Sequence, residues 1–107
     1  LPFEDNSLQG ITCVYLFHEL PRVVRENVLK EFFRVIEPGG ILVLADSIQV
    51  NDSPDFIQIM ENFHKSFHEP FYCDYIRDDI KSKIKETGFT DIKSNSFFMT
   101  KIWSAIK

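Results

Sequence analysis

Apolar positions recur along the middle of the chain with two different periods. Between Pro21 and Ile36, Val24, Val28, Phe32 and Ile36 return every four residues with Leu29 and Phe33 beside them. That is the wide apolar stripe of a helix lying on a sheet. Pro21 suits the first helical position, where the amide has no intrahelical partner. Pro38 closes the helix by pushing its predecessor out of the α region, and Gly39-Gly40 give the backbone freedom to turn sharply back. Ile41, Leu42, Val43, Leu44 and Ala45 then run without polar alternation, which predicts a central parallel strand covered on both faces. Upstream, Ile11 to Phe17 reads as a second buried strand with only Thr12 clearly polar. Strand, helix and strand in succession predict a right-handed βαβ unit with parallel strands, and so an α/β fold.

Beyond Asp46, Ser53-Pro54 reads as a helix start, with a capping hydroxyl and a proline at the first position. Phe56, Met60, Phe63 and Phe67 follow at helical spacing, a core face in this reading, and Pro70 ends the run. The next helix is expected from near Asp74, with Ile76, Ile80 and Ile84 on one face and Lys81, Lys83 and Lys85 toward its negative end. Gly88 suits the left-handed cap, and Phe89 can pack back on Ile84. From Thr90 the period changes to two, with Ile92, Ser94, Ser96 and Phe98, then Ile102, Ser104 and Ile106. This predicts two strands reversing near Thr100 and Lys101, as a hairpin or as neighbours closing one edge, with Trp103 under a helix.

Composition narrows the classes. A chain of 107 residues is enough for one small domain, and 44% hydrophobic with 26% charged residues is the balance of an ordinary globule. A net charge of −4 with scattered basic residues argues against nucleic acid or an anionic membrane as the main partner. No apolar run approaches a membrane span. Cys13 lies in an apolar strand and Cys73 in a loop, which fits a reducing, cytoplasmic setting. The first residue is not Met, so the sequence reads as an excerpt of a longer chain.

In open parallel sheets ligands bind beyond the carboxyl ends of the strands. Those ends carry Phe17-His18-Glu19 and Asp46-Ser47. Farther on, His64 and His68 stand four apart with Glu69 and Tyr72 nearby, a spacing that would suit two ligands on a helix. No third ligand is spaced with them and Pro70 interrupts, so no metal is expected.

Leu1-Pro2-Phe3-Glu4-Asp5-Asn6-Ser7, the apolar strand after it, and Arg34-Val35-Ile36-Glu37-Pro38-Gly39-Gly40 occur together in this sequence. At this spacing the chain resembles the class I S-adenosylmethionine-dependent methyltransferases, of the small-molecule, type 11-like kind. The resemblance covers the whole chain as one partial domain, residues 1–107, equivalent to the C-terminal half of a Rossmann-like fold: parallel strands four to six, the antiparallel seventh, and flanking helices. Two features depart from it. Leu8-Gln9-Gly10 stands where the family usually has Phe-Asp after Asn-Ser, and the glycine-rich cofactor loop and the acidic end of the second strand are absent.

The resemblance implies S-adenosylmethionine as cofactor of the complete protein, held weakly or not at all by this chain. Leu1, Pro2 and Phe3 would line the adenine side, and Tyr15, Leu16 and Phe17 would pass the methionine moiety. His18 is the candidate base, with a loop residue that only hydrogen-bonds the turn as the competing reading. Asp46 and Ser47 are acceptor contacts or turn residues by position, while His64, Phe67, His68 and Tyr72 would wall a small-molecule acceptor. Two other readings stay open, a non-catalytic remnant that acts by dimerising and a different doubly wound nucleotide-binding enzyme. The strand Ile11–Phe17 would lack the neighbour that the absent half provides, which predicts a homodimer through that edge.

Overall fold

The computed structural model describes residues 1–52 and 71–107. The helix predicted from Ser53-Pro54, with its aromatic face, lies outside them. In chain order the elements are β1 (Leu8–Val14), a 3-10 turn (Phe17–Glu19), α1 (Arg22–Val35), β2 (Ile36–Ser47), α2 (Tyr72–Arg77), α3 (Ile80–Thr87), β3 (Thr90–Phe97) and β4 (Thr100–Ile106). One sheet runs in the order β1-β2-β4-β3. β1 and β2 are parallel, and β4 is antiparallel to both β2 and β3. The tail is a hairpin whose second strand inserts beside β2, leaving the polar β3 as the edge.

The α/β expectation holds, with local corrections that have physical causes. Pro21 is the cap rather than the first helical residue, its carbonyl accepting from the amides of Val24 and Arg25 at 3.0 Å. α1 stops at Val35, because Ile36 and the residue before Pro38 take extended backbone. Pro38-Gly39-Gly40 therefore lies inside β2 as a bulge, where β1 advances from Leu8 to Gly10 while β2 advances from Ile36 to Ile41. Gly39 holds φ 84°, and a Cβ on Gly40 would meet Ile36 Cγ2 at 2.5 Å and the Gln9 carbonyl at 2.7 Å. β1 begins and ends earlier than predicted, since Tyr15 turns out of the strand at φ 53°.

The single helix expected after Asp74 is two helices. Asp78 is extended, and the Asp79 carboxylate caps α3 by accepting from the Ser82 amide at 3.1 Å. A short acidic side chain that can cap competes with helix continuation at that point. Gly88 ends α3 at φ 124° against the ring of Phe33. Phe89 then meets Phe33 edge to face, with ring centroids 5.1 Å apart.

The core gathers Leu29, Phe32, Leu42, Leu44, Ile76, Ile84, Phe89 and Trp103 between the helices and one sheet face. The other face of β1 and β2 is not covered as the sequence suggested, with Val14 62% and Ile41 42% exposed. The buried stripe of α1 is also rotated from the predicted one, running through Arg25, Leu29, Phe32 and Val35.

Arg25 is fully buried within that stripe. Its guanidinium donates to Asp78 Oδ2 at 2.6 Å, to Asp74 Oδ2 at 2.7 Å and to the Leu20 carbonyl at 3.1 Å. Lys83 Nζ reaches the same Asp78 carboxylate at 2.8 Å. Removing one partner of a buried pair strands the other, so Arg25→Ala should cost about 3 kcal/mol of unfolding free energy. Urea denaturation measures this; a loss below about 1 kcal/mol, the range of an exposed pair, would show that the cluster contributes little.

Candidate functional site

The carboxyl ends of β1 and β2 meet around one carboxylate. Asp46 ends the buried face of β2 with its side chain 2% exposed. Its Oδ2 accepts from the Phe17 amide at 2.8 Å and the His18 amide at 3.3 Å. Its Oδ1 accepts from the Ser47 amide at 2.7 Å and lies 2.8 Å from His18 Nδ1. Tyr15 leaves the strand with positive φ, and the 3-10 turn aims the Phe17 and His18 amides back at β2. The sequence needs that turn to bring His18 onto Asp46.

An ionised carboxylate only accepts, so the proton of a neutral His18 resides on Nδ1 and Nε2 is the basic nitrogen. Nε2 lies 3.9 Å from Glu19 Oε1. The rings of Tyr15, Tyr72 and Tyr75 stand edge-on to the imidazole, with centroids 6.3, 5.9 and 6.4 Å away. The Tyr72 hydroxyl lies 2.6 Å from Ser47 Oγ, and the Tyr75 hydroxyl donates to the Ser47 carbonyl at 2.5 Å. Gln49 Nε2 donates to the Tyr75 carbonyl at 2.8 Å and to that of Asp78 at 2.6 Å, fixing α2 over the strand end.

The charge of Asp46 reaches its neighbours. Burial first, and then Asp46, pushes the Tyr75 hydroxyl well above its ordinary value. The same two causes push the Cys13 thiol up to about 11.

His18, Asp46, Ser47 and Tyr72, four of the residues expected from sequence, are thus brought together. Tyr15 and Leu16 are exposed beside them, 46% and 38%. Phe17 is 1% exposed, so its ring belongs to the core and only its amide reaches the site. Leu1, Pro2 and Phe3 are exposed. Leu1, Phe3, Ile11, Val14 and Leu16 line an open apolar concavity of about 480 Å³ on β1, with Cys13 and Phe32 at its floor. His64, Phe67 and His68 lie outside the described residues. Among the described residues no three His, Cys, Asp or Glu side chains are grouped to hold a metal. Sequence reading missed Tyr75, Gln49 and Arg25. A signal existed for two of them: Tyr75 follows Tyr72 at i+3, and Arg25 stands four before Leu29 in the buried stripe.

A methyltransferase-domain sequence profile matches residues 1–44, which include both segments on which the family resemblance rests. The chain is 30% identical over 100 residues to an uncharacterised Haemophilus influenzae protein, covering 94% of this chain and 39% of that one. It is 28% identical over 116 residues to demethylmenaquinone methyltransferase of Staphylococcus haemolyticus, covering 91% of this chain and 47% of that protein. Human N-acetylserotonin methyltransferase, solved in complex with SAM, superposes with a TM-score of 0.71 at 13% identity over 98% of this chain and 31% of its own.

Its first 44 residues match a methyltransferase domain, and the chain shares the fold of solved S-adenosylmethionine-dependent methyltransferases. It has their Rossmann-like fold. It spans less than half the length of the curated relatives it matches.

The Cys13 thiol offers a check on the site's electrostatics. With its pKa near 11, roughly one thiol in a thousand is ionised at pH 8. Cys13 should therefore alkylate far more slowly than a free thiol, with a rate that keeps rising past pH 9. Asp46→Asn, by removing the second cause of the shift, should move that profile to lower pH. Mass spectrometry after timed iodoacetamide labelling reads both, and an unmoved profile would show that Asp46 does not act on Cys13.

Proposed function

We propose that the protein containing this chain transfers a methyl group from S-adenosylmethionine to a small organic acceptor in the cytoplasm, with His18 as proton acceptor. The observation that carries this reading is the 2.8 Å contact of His18 Nδ1 with buried Asp46 at the ligand end of two parallel strands. The name of the Staphylococcus relative supports an organic acceptor. Among the described residues no helix is long and apolar enough to cross a membrane.

The residues present fit part of a cofactor site. The concavity beside Leu1, Phe3 and Leu16 carries no charged side chain, which suits the flat adenine. Tyr15 and Leu16 stand exposed where the methionine moiety would pass. When bound, the cofactor supplies a methyl group on a sulfonium, whose departure as a neutral thioether needs no acid. The chain's own part is then alignment and proton removal. Alignment of two reactants can be worth roughly 7–11 kcal/mol in well-oriented systems. His18 Nε2 takes the acceptor's proton, while Asp46 keeps the Nδ1 proton in place and stabilises the imidazolium that forms. Tyr72 and Ser47 supply the acceptor wall among the described residues.

In the full-length protein His18→Ala should lower turnover by roughly 10²-fold or more while leaving S-adenosylmethionine affinity unchanged. Steady-state kinetics with calorimetry decides it, and unchanged turnover would return His18 to a loop residue that only secures the turn.

A second reading is favoured by the bare edge of β1, which no described strand covers on its outer side. Unpaired strand amides flanked by exposed Val14, Tyr15 and Leu16 recruit another chain. By itself the chain is then a homodimer along the Ile11 to Phe17 stretch, and it binds cofactor weakly because the glycine-rich loop is lacking. The 107-residue chain should run as a two-fold dimer in light scattering at micromolar concentration and give no micromolar S-adenosylmethionine isotherm. A monodisperse monomer would remove the first statement, and a micromolar isotherm the second.

A further inference from the structure

Tyr15 is the left-handed residue, at φ 53°, through which the chain passes from β1 into the turn that carries His18. Glycine and asparagine enter that region readily, whereas a tyrosine stays there only where its surroundings hold it. Its backbone is held by the amide, which donates to the Ala45 carbonyl at 2.7 Å. Its side chain is anchored on the far side of β2. The Tyr15 hydroxyl is hydrogen-bonded to Thr100 Oγ1, 85 residues away in sequence.

Thr100 begins β4, and β2 lies between β1 and β4 in the sheet. Strands two apart are separated by roughly 9–10 Å, too far for a short polar side chain to bridge. The tyrosine therefore crosses the end of β2 to reach its partner. Register sets Thr100 against Ser47 and Lys101 against Asp46. Side chains alternate along a strand, so Thr100 lies on the sheet face opposite Asp46. The turn that carries His18 is thus held from both faces. Asp46 accepts the Phe17 and His18 amides and faces His18 Nδ1 from one, and Thr100 engages the Tyr15 hydroxyl from the other. The Tyr15 ring, edge-on to the imidazole, links the two.

We propose that Thr100 is a positioning residue for proton removal: by holding the Tyr15 hydroxyl it keeps Tyr15 left-handed, and so keeps His18 on Asp46. It acts through Tyr15. The proposal rests on the methyl-transfer reading for the use made of His18, and its first readout needs no methyl transfer.

The test compares Thr100→Val, which keeps the side-chain shape and removes the hydroxyl, with Thr100→Ser, which keeps the hydroxyl, in the full-length protein. Amide hydrogen exchange followed by NMR reads the Phe17 and His18 amides. The Leu44 amide, in a strand with neighbours on both sides, measures opening of the sheet as a whole. Thr100→Val should speed exchange at Phe17 and His18 by roughly 5-fold, the size of one net hydrogen bond, and leave Leu44 unchanged. Turnover should fall by a similar factor, and Thr100→Ser should restore both. Tyr15→Phe should reproduce the faster exchange, and combining it with Thr100→Val should add nothing, because each removes the same bond. Phe17 and His18 amides that exchange in Thr100→Val as in the intact protein overturn the proposal. A rise shared by Leu44 overturns it too, since the bond would then be a tie for the whole sheet. So does unchanged turnover in Thr100→Val where His18→Ala lowers it. Full turnover in His18→Ala, with exchange at Phe17 and His18 still faster in Thr100→Val, overturns instead the role given to His18 and leaves Thr100 as the residue that holds the turn.

Discussion

The carboxylate of Asp46 is the constraint on which the ligand end of this fold depends. A buried carboxylate without donors is among the most expensive groups a protein can hold, and it persists only when hydrogen bonds replace its hydration. Here both oxygens are supplied, one by the Phe17 and His18 amides and the other by the Ser47 amide and His18 Nδ1. Three of those four donors belong to the turn after β1. The same demand that keeps Asp46 stable therefore pins the turn, ends β1 at Val14, and leaves the imidazole in one orientation. A different residue at position 46 would change the shape of the site as well as its charge.

A second buried charge extends that order to the helices. Arg25 projects from the core-facing stripe of α1 and is met by Asp74 and Asp78 at the two ends of α2. The pairing explains why α2 and α3 are separate. Asp78 must leave the helical path for its carboxylate to face Arg25 and Lys83, and Asp79 then restarts the helix by capping it. With α2 fixed in this way, Tyr72 and Tyr75 fall over Ser47 and beside His18. The ion pairing thus sits against the site's aromatic wall, with the Arg25 guanidinium 5.8 Å from the centre of the Tyr75 ring.

The fold was legible in sequence wherever hydrophobic period and turn chemistry agreed. The βαβ unit, the cap at Gly88, the inward Trp103 and the two terminal strands all follow from residues that act locally or along one face. Boundaries failed where a nonlocal partner decided. Pro38-Gly39-Gly40 reads as a stop in one dimension, yet the bulge continues because Lys107, just past β4, exchanges backbone hydrogen bonds with Gly39 and Gly40. Arg25 hid in the α1 stripe because a charged side chain ordinarily marks the solvent face, and its partners lie about fifty residues away. His18 and Asp46 could be named as strand-end residues, but their contact depends on the left-handed Tyr15, which nothing in a tyrosine announces.

The two edges of the sheet differ in kind. β3 carries Lys93, Ser94, Asn95 and Ser96 along its length, nearly all exposed. Polar and lysine-bearing strands of this sort resist pairing with another chain, so that edge is stable as a boundary with water. β1 has none of that protection. Its charged residues are absent, Ile11 and Val14 lie on opposite faces, and Leu1, Phe3 and Leu16 extend the apolar surface past both ends of the strand. Chemical protection on one edge and its lack on the other are properties of the sequence itself. The unprotected edge of the sheet is therefore β1, and the open apolar concavity lies beside it.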